Sequence, residues 1–284
     1  MSIDPQHLIG LRARGERLAW GSREALLYAL SLGFGRNPGR AGELGFVFEG
    51  VGLKVVPTLA SALARNGFLK GCGWDETRLV PAFERLTLLR ALPPAGNLLL
   101  DGEVAAVHDL GVDTGTLVML RLQARHAADD QPAFTVERGI LARGDGGCGA
   151  TLGSIPAPPP LPARSADFSC ELAIAPEQAL LYRLNGDMHP IHADPGLARR
   201  AGLPGPVLHN LCTLGVACRG IMEVICDFDP TLVTSFEGRF TGGVYPGDQL
   251  ALDIWQQANV LSFRVRVPAR DQVVVDHGRC VLAT

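Results

Sequence analysis

The sequence predicts an α+β fold made of two copies of one module. Residues 25–30 (ALLYAL) and 179–184 (ALLYRL) differ at one position and lie 154 residues apart. A second pair of segments, 94–98 (PAGNL) and 245–250 (YPGDQL), is repeated at an offset of 151. Two repeats at nearly the same offset indicate an internal duplication. In each half a helical pattern comes first and strand patterns follow, which is typical of a helix packed on an antiparallel sheet.

The first copy contains two predicted helices and three predicted strands. Residues 1–20 are a polar lead-in, and residues 22–36 have helical spacing after Ser22, which we expect to cap the helix. The apolar segment 56–69 (VPTLASALARNGFL) predicts a longer helix. The predicted strands are residues 98–107, 116–125 and 133–143.

The second copy follows the same plan with a longer apolar helix. Residues 206–224 predict this helix, and residues 262–267 alternate strictly between polar and apolar, as in a strand with one solvated face. The predicted strands are residues 235–240, 250–256, 260–267 and 273–282.

A proline-rich segment separates the two copies. Residues 155–163 contain five prolines, which favour a stiff, extended connection that cannot enter a sheet interior. We therefore expect a first copy over residues 1–153, a linker over 154–164 and a second copy over 165–284.

Composition excludes several classes of function. The formal net charge is −3 and the chain has no lysine- or arginine-rich run, so we expect no nucleic-acid partner. No uncharged apolar stretch reaches 18 residues, so we expect no membrane span. Seven scattered cysteines are typical of reduced thiols, and we expect a cytoplasmic protein.

Candidate catalytic residues are concentrated in residues 185–215 of the second copy. Asp187 stands five residues before His192, and Pro190 between them indicates an extended turn. A carboxylate and an imidazole that converge on one water can perform acid–base chemistry near neutral pH. The adjacent helix start offers free N–H groups to an oxygen that gains negative charge. The first copy has no histidine between His7 and His108, so this chemistry is confined to the second copy.

Three segments of the second copy carry a resemblance to a known family. GDMHPIHADP (186–195) and PVLHNLCTLG (206–215) resemble the MaoC-like, or type 2 enoyl-CoA hydratase, family. Its pattern is Gly-Asp-x-Asn-Pro-aliphatic-His followed by a Leu-His-Gly helix start. GRFTGGVYPGDQL (238–250) resembles a later strand and turn of the same family, and the first half resembles its degenerate first repeat.

The resemblance implies a fold and a reaction. Each copy would be a hotdog fold, a sheet wrapped round one central helix, and the chain a double hotdog. The reaction would be hydration of trans-2-enoyl-CoA to (R)-3-hydroxyacyl-CoA, or the reverse dehydration, with Asp187 and His192 as the catalytic pair. The CoA thioester would be the substrate, with no metal or other cofactor, and we expect a homodimer.

The resemblance also implies four substrate-binding residues. His189 stands where the family has an asparagine that helps to hold the substrate, and Asn210 replaces a glycine whose backbone N–H belongs to the oxyanion hole. His209 matches the family histidine, with a structural hydrogen-bonding role as the alternative. Phe240 matches an aromatic residue that lines the acyl or pantetheine site, with core packing as the alternative.

The first copy departs from the family pattern at two places. Pro81 and Ala82 stand where relatives have a substrate-contacting His-Gly pair, and Leu110 replaces a lysine that could meet a CoA phosphate. Possible replacements for that lysine are Arg65, Arg199, Arg200, Arg219 and Arg264.

Three alternatives stay open from the sequence. A metal could bind at the HxxH spacing of His189 and His192 with Asp187 and Asp194 nearby, although Pro190 disrupts a helical pair. The departures from the family pattern would also fit a pseudoenzyme that binds acyl thioesters without turnover. A hotdog acyl-CoA thioesterase is the third alternative.

Overall fold

The computed structural model describes residues 3–74 and 78–284, and we use α and β labels in chain order. The elements of the first copy are α1 (Pro5–Gly10), β1 (Arg12–Trp20), α2 (Ser22–Ser31), α3 (Ala41–Val47), α4 (Leu59–Leu63), β2 (Leu79–Leu88), β3 (Gly96–Asp109), β4 (Thr116–His126), β5 (Pro132–Ala142) and β6 (Thr151–Gly153). Those of the second copy are β7 (Phe168–Ala173), α5 (Gln178–Tyr182), α6 (Pro195–Arg200), α7 (Asn210–Val224), β8 (Val233–Phe240), β9 (Gln249–Gln257), β10 (Val260–Val267) and β11 (Gln272–Leu282).

One antiparallel sheet runs through both copies. Its strand order is β1-β3-β4-β5-β2-β8-β11-β10-β9-β7, with β6 paired to β3. The two halves of this order have the same connectivity on either side of the β2–β8 junction, where Phe83 pairs with Arg239 and Thr87 with Ser235. This edge-to-edge pairing buries the edge that each half would otherwise expose. The predicted α+β fold is confirmed.

The repeated hexapeptides pack against each other where the two copies meet. Tyr28 of α2 and Tyr182 of α5 occupy the same position in the repeat, and their ring centroids lie 5.9 Å apart. Both rings belong to one hydrophobic core that includes buried residues of both halves. A buried ion pair between Glu43 of α3 and Arg219 of α7, at 2.6 Å, adds a polar link across the same interface. The two copies therefore share one core.

The two central helices differ in length, which corrects one prediction. In the second copy, α7 is long and almost completely buried, but it begins at Asn210 and not at residue 206, because the Leu208 N–H instead donates to the Val244 carbonyl. In the first copy, the predicted helix 56–69 is wrong. Helical structure there is limited to α4 and a 3-10 turn at Gly67–Leu69, because Pro57 opens the segment and the Asn66-Gly67 pair interrupts it.

The end of α2 also differs from its prediction. The helix stops at Ser31, before Gly33 and Gly35, which both have positive φ. Its N-cap is Gly21 and not Ser22, and the Gly21 N–H donates to the Glu24 carboxylate at 2.8 Å. The predicted strands coincide with β3–β5 and β8–β11 to within a few residues, whereas β1, β2 and β7 were not predicted.

Within the described residues, no helix is both long enough and apolar enough to cross a membrane.

Candidate active site

A tight turn after α5 brings Asp187 and His192 together. Gly186 reverses the chain with a φ of +114°, which a residue with a side chain rarely adopts. Asp187 Oδ1 accepts the His189 N–H at 3.2 Å, and Pro190–His192 forms a 3-10 turn. As a result, Asp187 Oδ2 lies 3.9 Å from Nε2 of His192. This spacing is too long for a direct hydrogen bond and leaves both atoms available to a small molecule between them.

A backbone carbonyl fixes the tautomer of His192. Its Nδ1 lies 2.7 Å from the Val207 carbonyl oxygen, and because a carbonyl can only accept, Nδ1 carries the proton of the neutral ring. The lone pair of Nε2 therefore faces Asp187. Burial lowers the pKa of His192, since the charged ring would lose its water, so the ring stays a neutral base near pH 7.

His209 contacts both members of this pair. Its Nε2–H donates to the backbone carbonyl of Asp187 at 3.1 Å, and its ring stacks on His192 with centroids 3.5 Å apart. Burial, followed by the neighbouring His192, lowers the pKa of His209 to about 4. The observed contacts hold the site together, and a contact between His209 and the substrate stays a prediction.

The arrangement of the imidazoles favours acid–base chemistry over metal binding. Ligand atoms of Asp187, His192 and His209 lie within 4.8 Å of one another. An imidazole nitrogen, however, binds a metal in the plane of its ring, and the planes of His192 and His209 are stacked at 21°. Nδ1 of His189 accepts the Ile191 N–H, and Asp194 caps α6 through the Gly196 N–H. The absence of a metal stays a prediction.

Two further predicted residues lie on the elements that surround the site. Asn210 is the first residue of α7 and follows His209 directly, so its N–H belongs to the unpaired first turn of the helix. Phe240 ends β8 and is half-buried against the main core. Their contacts with substrate stay predictions.

The five arginines that could replace the family lysine differ in their exposure and in their partners. Arg219 is buried with Glu43, and Arg264 makes two hydrogen bonds to Asp276, at 2.9 and 3.3 Å. Arg199 and Arg200 are exposed on α6. Arg65 is exposed after α4, and its guanidinium lies against Gly186.

A groove in the first copy leads to the turn that carries Asp187 and His192, which we call the catalytic turn after its predicted role. It has a volume of about 420 Å³ and is lined by Ala19, Arg23, Glu24, Leu27, Leu59, Ala62, Leu63, Arg65, Leu184 and Asn185. Leu59 and Leu63 of α4 face this groove, whereas Phe68 packs against Gly102 of β3. Arg65 is the residue that sequence reasoning did not place at this turn, because its proximity to Gly186 arises only from tertiary packing.

Comparison with known proteins identifies the family. Residues 159–277 match the family described as MaoC like domain. The chain is 32% identical to enoyl-CoA hydratase ChsH3 and 34% identical to 3-hydroxyacyl-thioester dehydratase Y, both of Mycobacterium tuberculosis, over 98% of this chain and of each relative. Its fold matches the crystal structure of a MaoC-like dehydratase from Phytophthora capsici with a TM-score of 0.88 and 25% identity, over 99% of this chain and 98% of the other. The chain therefore belongs to the MaoC-like dehydratase family, in its double hotdog form.

Proposed function

We propose that this protein is an enoyl-CoA hydratase of the type 2 class, which converts trans-2-enoyl-CoA to (R)-3-hydroxyacyl-CoA or catalyses the reverse dehydration. The observation that carries the proposal is the pairing of the Asp187 carboxylate with the unprotonated Nε2 of His192, 3.9 Å apart, next to the start of α7. The names of the relatives support the same reaction class.

The proposed mechanism uses one water between the two side chains. Nε2 of His192 takes a proton from the water as its oxygen bonds to C3. Asp187 orients the water and relays that proton from the His192 ring to C2, so both side chains end in their starting protonation states. The electron pair of the double bond moves toward the thioester carbonyl, whose oxygen becomes enolate-like. N–H groups of the first turn of α7, beginning with Asn210, stabilise that oxygen. Water is added without oxidation or reduction, so the reaction needs no redox cofactor.

The remaining assignments complete the proposal. His189, His209, Asn210 and Phe240 contact the substrate, the second copy (165–284) supplies the chemistry, and the first (1–153) accommodates the acyl chain. The groove supports that division, because copy-one residues provide most of its lining. We also propose a cytoplasmic homodimer. Sedimentation analysis tests the dimer, and imaging of a tagged protein tests the compartment.

Crotonyl-CoA and longer enoyl-CoAs distinguish this function from its two alternatives. A hydratase removes the ultraviolet absorbance of the conjugated enoyl thioester without releasing thiol. Release of free CoA thiol would identify a thioesterase. Unchanged absorbance and no thiol, together with measurable binding, would identify a pseudoenzyme and contradict the proposal.

A further inference from the structure

Arg65 places a positive charge from the first copy beside the catalytic turn of the second. It lies two residues after the end of α4, and its guanidinium is so close to Gly186 that a Cβ atom there would collide with it. Gly186 immediately precedes Asp187. The guanidinium therefore lies against the backbone of the residue next to Asp187.

A buried arginine anchors the backbone that carries Arg65. Arg138 donates to the carbonyls of Ser61 and Ala64, at 2.9 and 3.0 Å, at the end of α4. Arg138 is itself held by two hydrogen bonds to the carboxylate of Glu84, each 2.8 Å long. Arg65 thus extends from a rigid support, although its own side chain is exposed and forms no ion pair with any residue that the structure describes.

The surroundings of Arg65 combine an apolar wall with positive charge. Leu27, Leu59, Leu63 and Leu184 line the same groove, and Arg23 is a second cation in it. The carboxylate of Glu24, also in the groove, accepts the Gly21 N–H at the start of α2. The CoA phosphates are separated from the thioester by the whole pantetheine arm, so a cation next to Asp187 faces the acyl part of the substrate.

We propose that Arg65 binds an anionic group of the acyl thioester, specifically a carboxylate carried by the acyl chain beyond C3. The groove would accept the methylene groups of the chain on its leucines, and the planar guanidinium of Arg65 would pair with the carboxylate through two hydrogen bonds. The substrate class would then include dicarboxylic enoyl thioesters. This inference rests on the proposed function, but its binding test does not require turnover.

Calorimetric binding of three saturated analogues tests the inference. Adipoyl-CoA carries the acyl carboxylate, hexanoyl-CoA lacks it, and hexanoyl-pantetheine also lacks the CoA phosphates. We expect wild-type protein to bind adipoyl-CoA more tightly than hexanoyl-CoA. Arg65→Met should weaken adipoyl-CoA binding about tenfold or more and change hexanoyl-CoA binding less than about twofold. Arg65→Lys should retain part of the preference, because it keeps the charge but not the fork of donors.

The control is Arg90→Met, which removes the same charge from an exposed position after β2, outside the groove. It should leave the preference for adipoyl-CoA intact, and thermal unfolding should show that each variant is folded. If Arg65→Met weakens the binding of hexanoyl-CoA but not that of hexanoyl-pantetheine, Arg65 contacts a CoA phosphate. That result would overturn the acyl-carboxylate site. The same loss of affinity for all three ligands, or no loss for any of them, would also overturn the acyl-carboxylate site. Binding without hydration of enoyl-CoAs would contradict the proposed function alone.

Discussion

At the scale of single residues, the tautomer of His192 determines what the site can do. The Val207 carbonyl holds the proton on Nδ1, so the basic Nε2 faces the Asp187 carboxylate. Val207 follows Pro206 in an extended segment that precedes α7. The same segment therefore orients the base and delivers the helix start that would stabilise an oxyanion.

The first prediction concerns two variants that lose a titrating group but keep a side chain of similar shape. Asp187→Asn and His192→Gln should each lower turnover of enoyl-CoA about 10²–10⁴-fold, because acid–base catalysis needs the proton-accepting groups themselves. Circular dichroism and thermal unfolding should stay close to wild type. Turnover near the wild-type rate in either folded variant would contradict the catalytic assignment.

The second prediction concerns His209 and the stability of the fold in mild acid. The pKa of His209 is about 4 in the folded protein and is expected near 6.5 when the chain is unfolded. Between these values the unfolded chain takes up a proton that the folded one excludes, so stability falls as the pH drops from about 6.5 toward 4. His209 would contribute up to about 3 kcal/mol of this loss.

His209→Gln should therefore flatten the pH dependence of the unfolding free energy, measured by urea titration from pH 7.5 to 4.5. It should also reduce turnover, because it removes the ring stacked on His192. The control is His7→Gln, the same substitution at an exposed histidine of α1. Identical slopes for wild type and His209→Gln would show that burial of His209 does not oppose its protonation.

Local spacing made part of the site predictable. Asp187 and His192 share one short turn, so five residues of sequence were enough to predict that they face each other. The stacking of His209 on His192 depends on how α7 docks against that turn, and the position of Arg65 depends on packing between the copies. Such contacts leave no periodic pattern in the sequence.

At the scale of elements, the alternation of polar and apolar residues predicted every inner strand except β2 and missed the two outer strands. β1 and β7 are the terminal strands of the sheet, where most positions are exposed and polar residues replace the alternating pattern. β2 lies at the centre, but Pro81 sits at an irregularity in its pairing with β5 and argues against a strand. The length of α4 was overestimated, because an apolar segment of helix-forming residues need not stay helical where it contains a proline or a glycine.

The third prediction tests how α4 is held in place. Glu84 is 1% exposed and pairs with Arg138, which also binds the carbonyls at the end of α4. Glu84→Gln should destabilise the protein by about 3–5 kcal/mol in urea unfolding, because it leaves a buried guanidinium without its counter-ion.

The matched control is Glu103→Gln, the same change in a more exposed pair with Arg121 on the first-copy half of the sheet. It should cost less than about 1 kcal/mol. Equal losses in the two variants would show that the Arg138–Glu84 pair does not act as a buried anchor of α4.

At the scale of the whole molecule, the two copies share one strand order but differ in the side chains that they carry. The strand order repeats on either side of the β2–β8 junction, yet Asp187, His192 and His209 come from the second copy alone. The short α4 leaves a groove in the first copy, between α2 and the catalytic turn of the second copy. This groove is the space that we propose for the acyl chain.

The fourth prediction follows from the leucines that line this groove. Each methylene removed from water contributes about 0.8 kcal/mol, so two additional methylenes should improve kcat/KM by about tenfold. Activity should therefore rise from four-carbon enoyl-CoA to longer substrates until the groove is full. Ala62→Trp, at a half-buried position in the lining, should reduce kcat/KM for long chains and spare the four-carbon substrate. A flat profile in wild type, or a preference for four carbons, would mean that the first copy does not house the chain and that its role is structural.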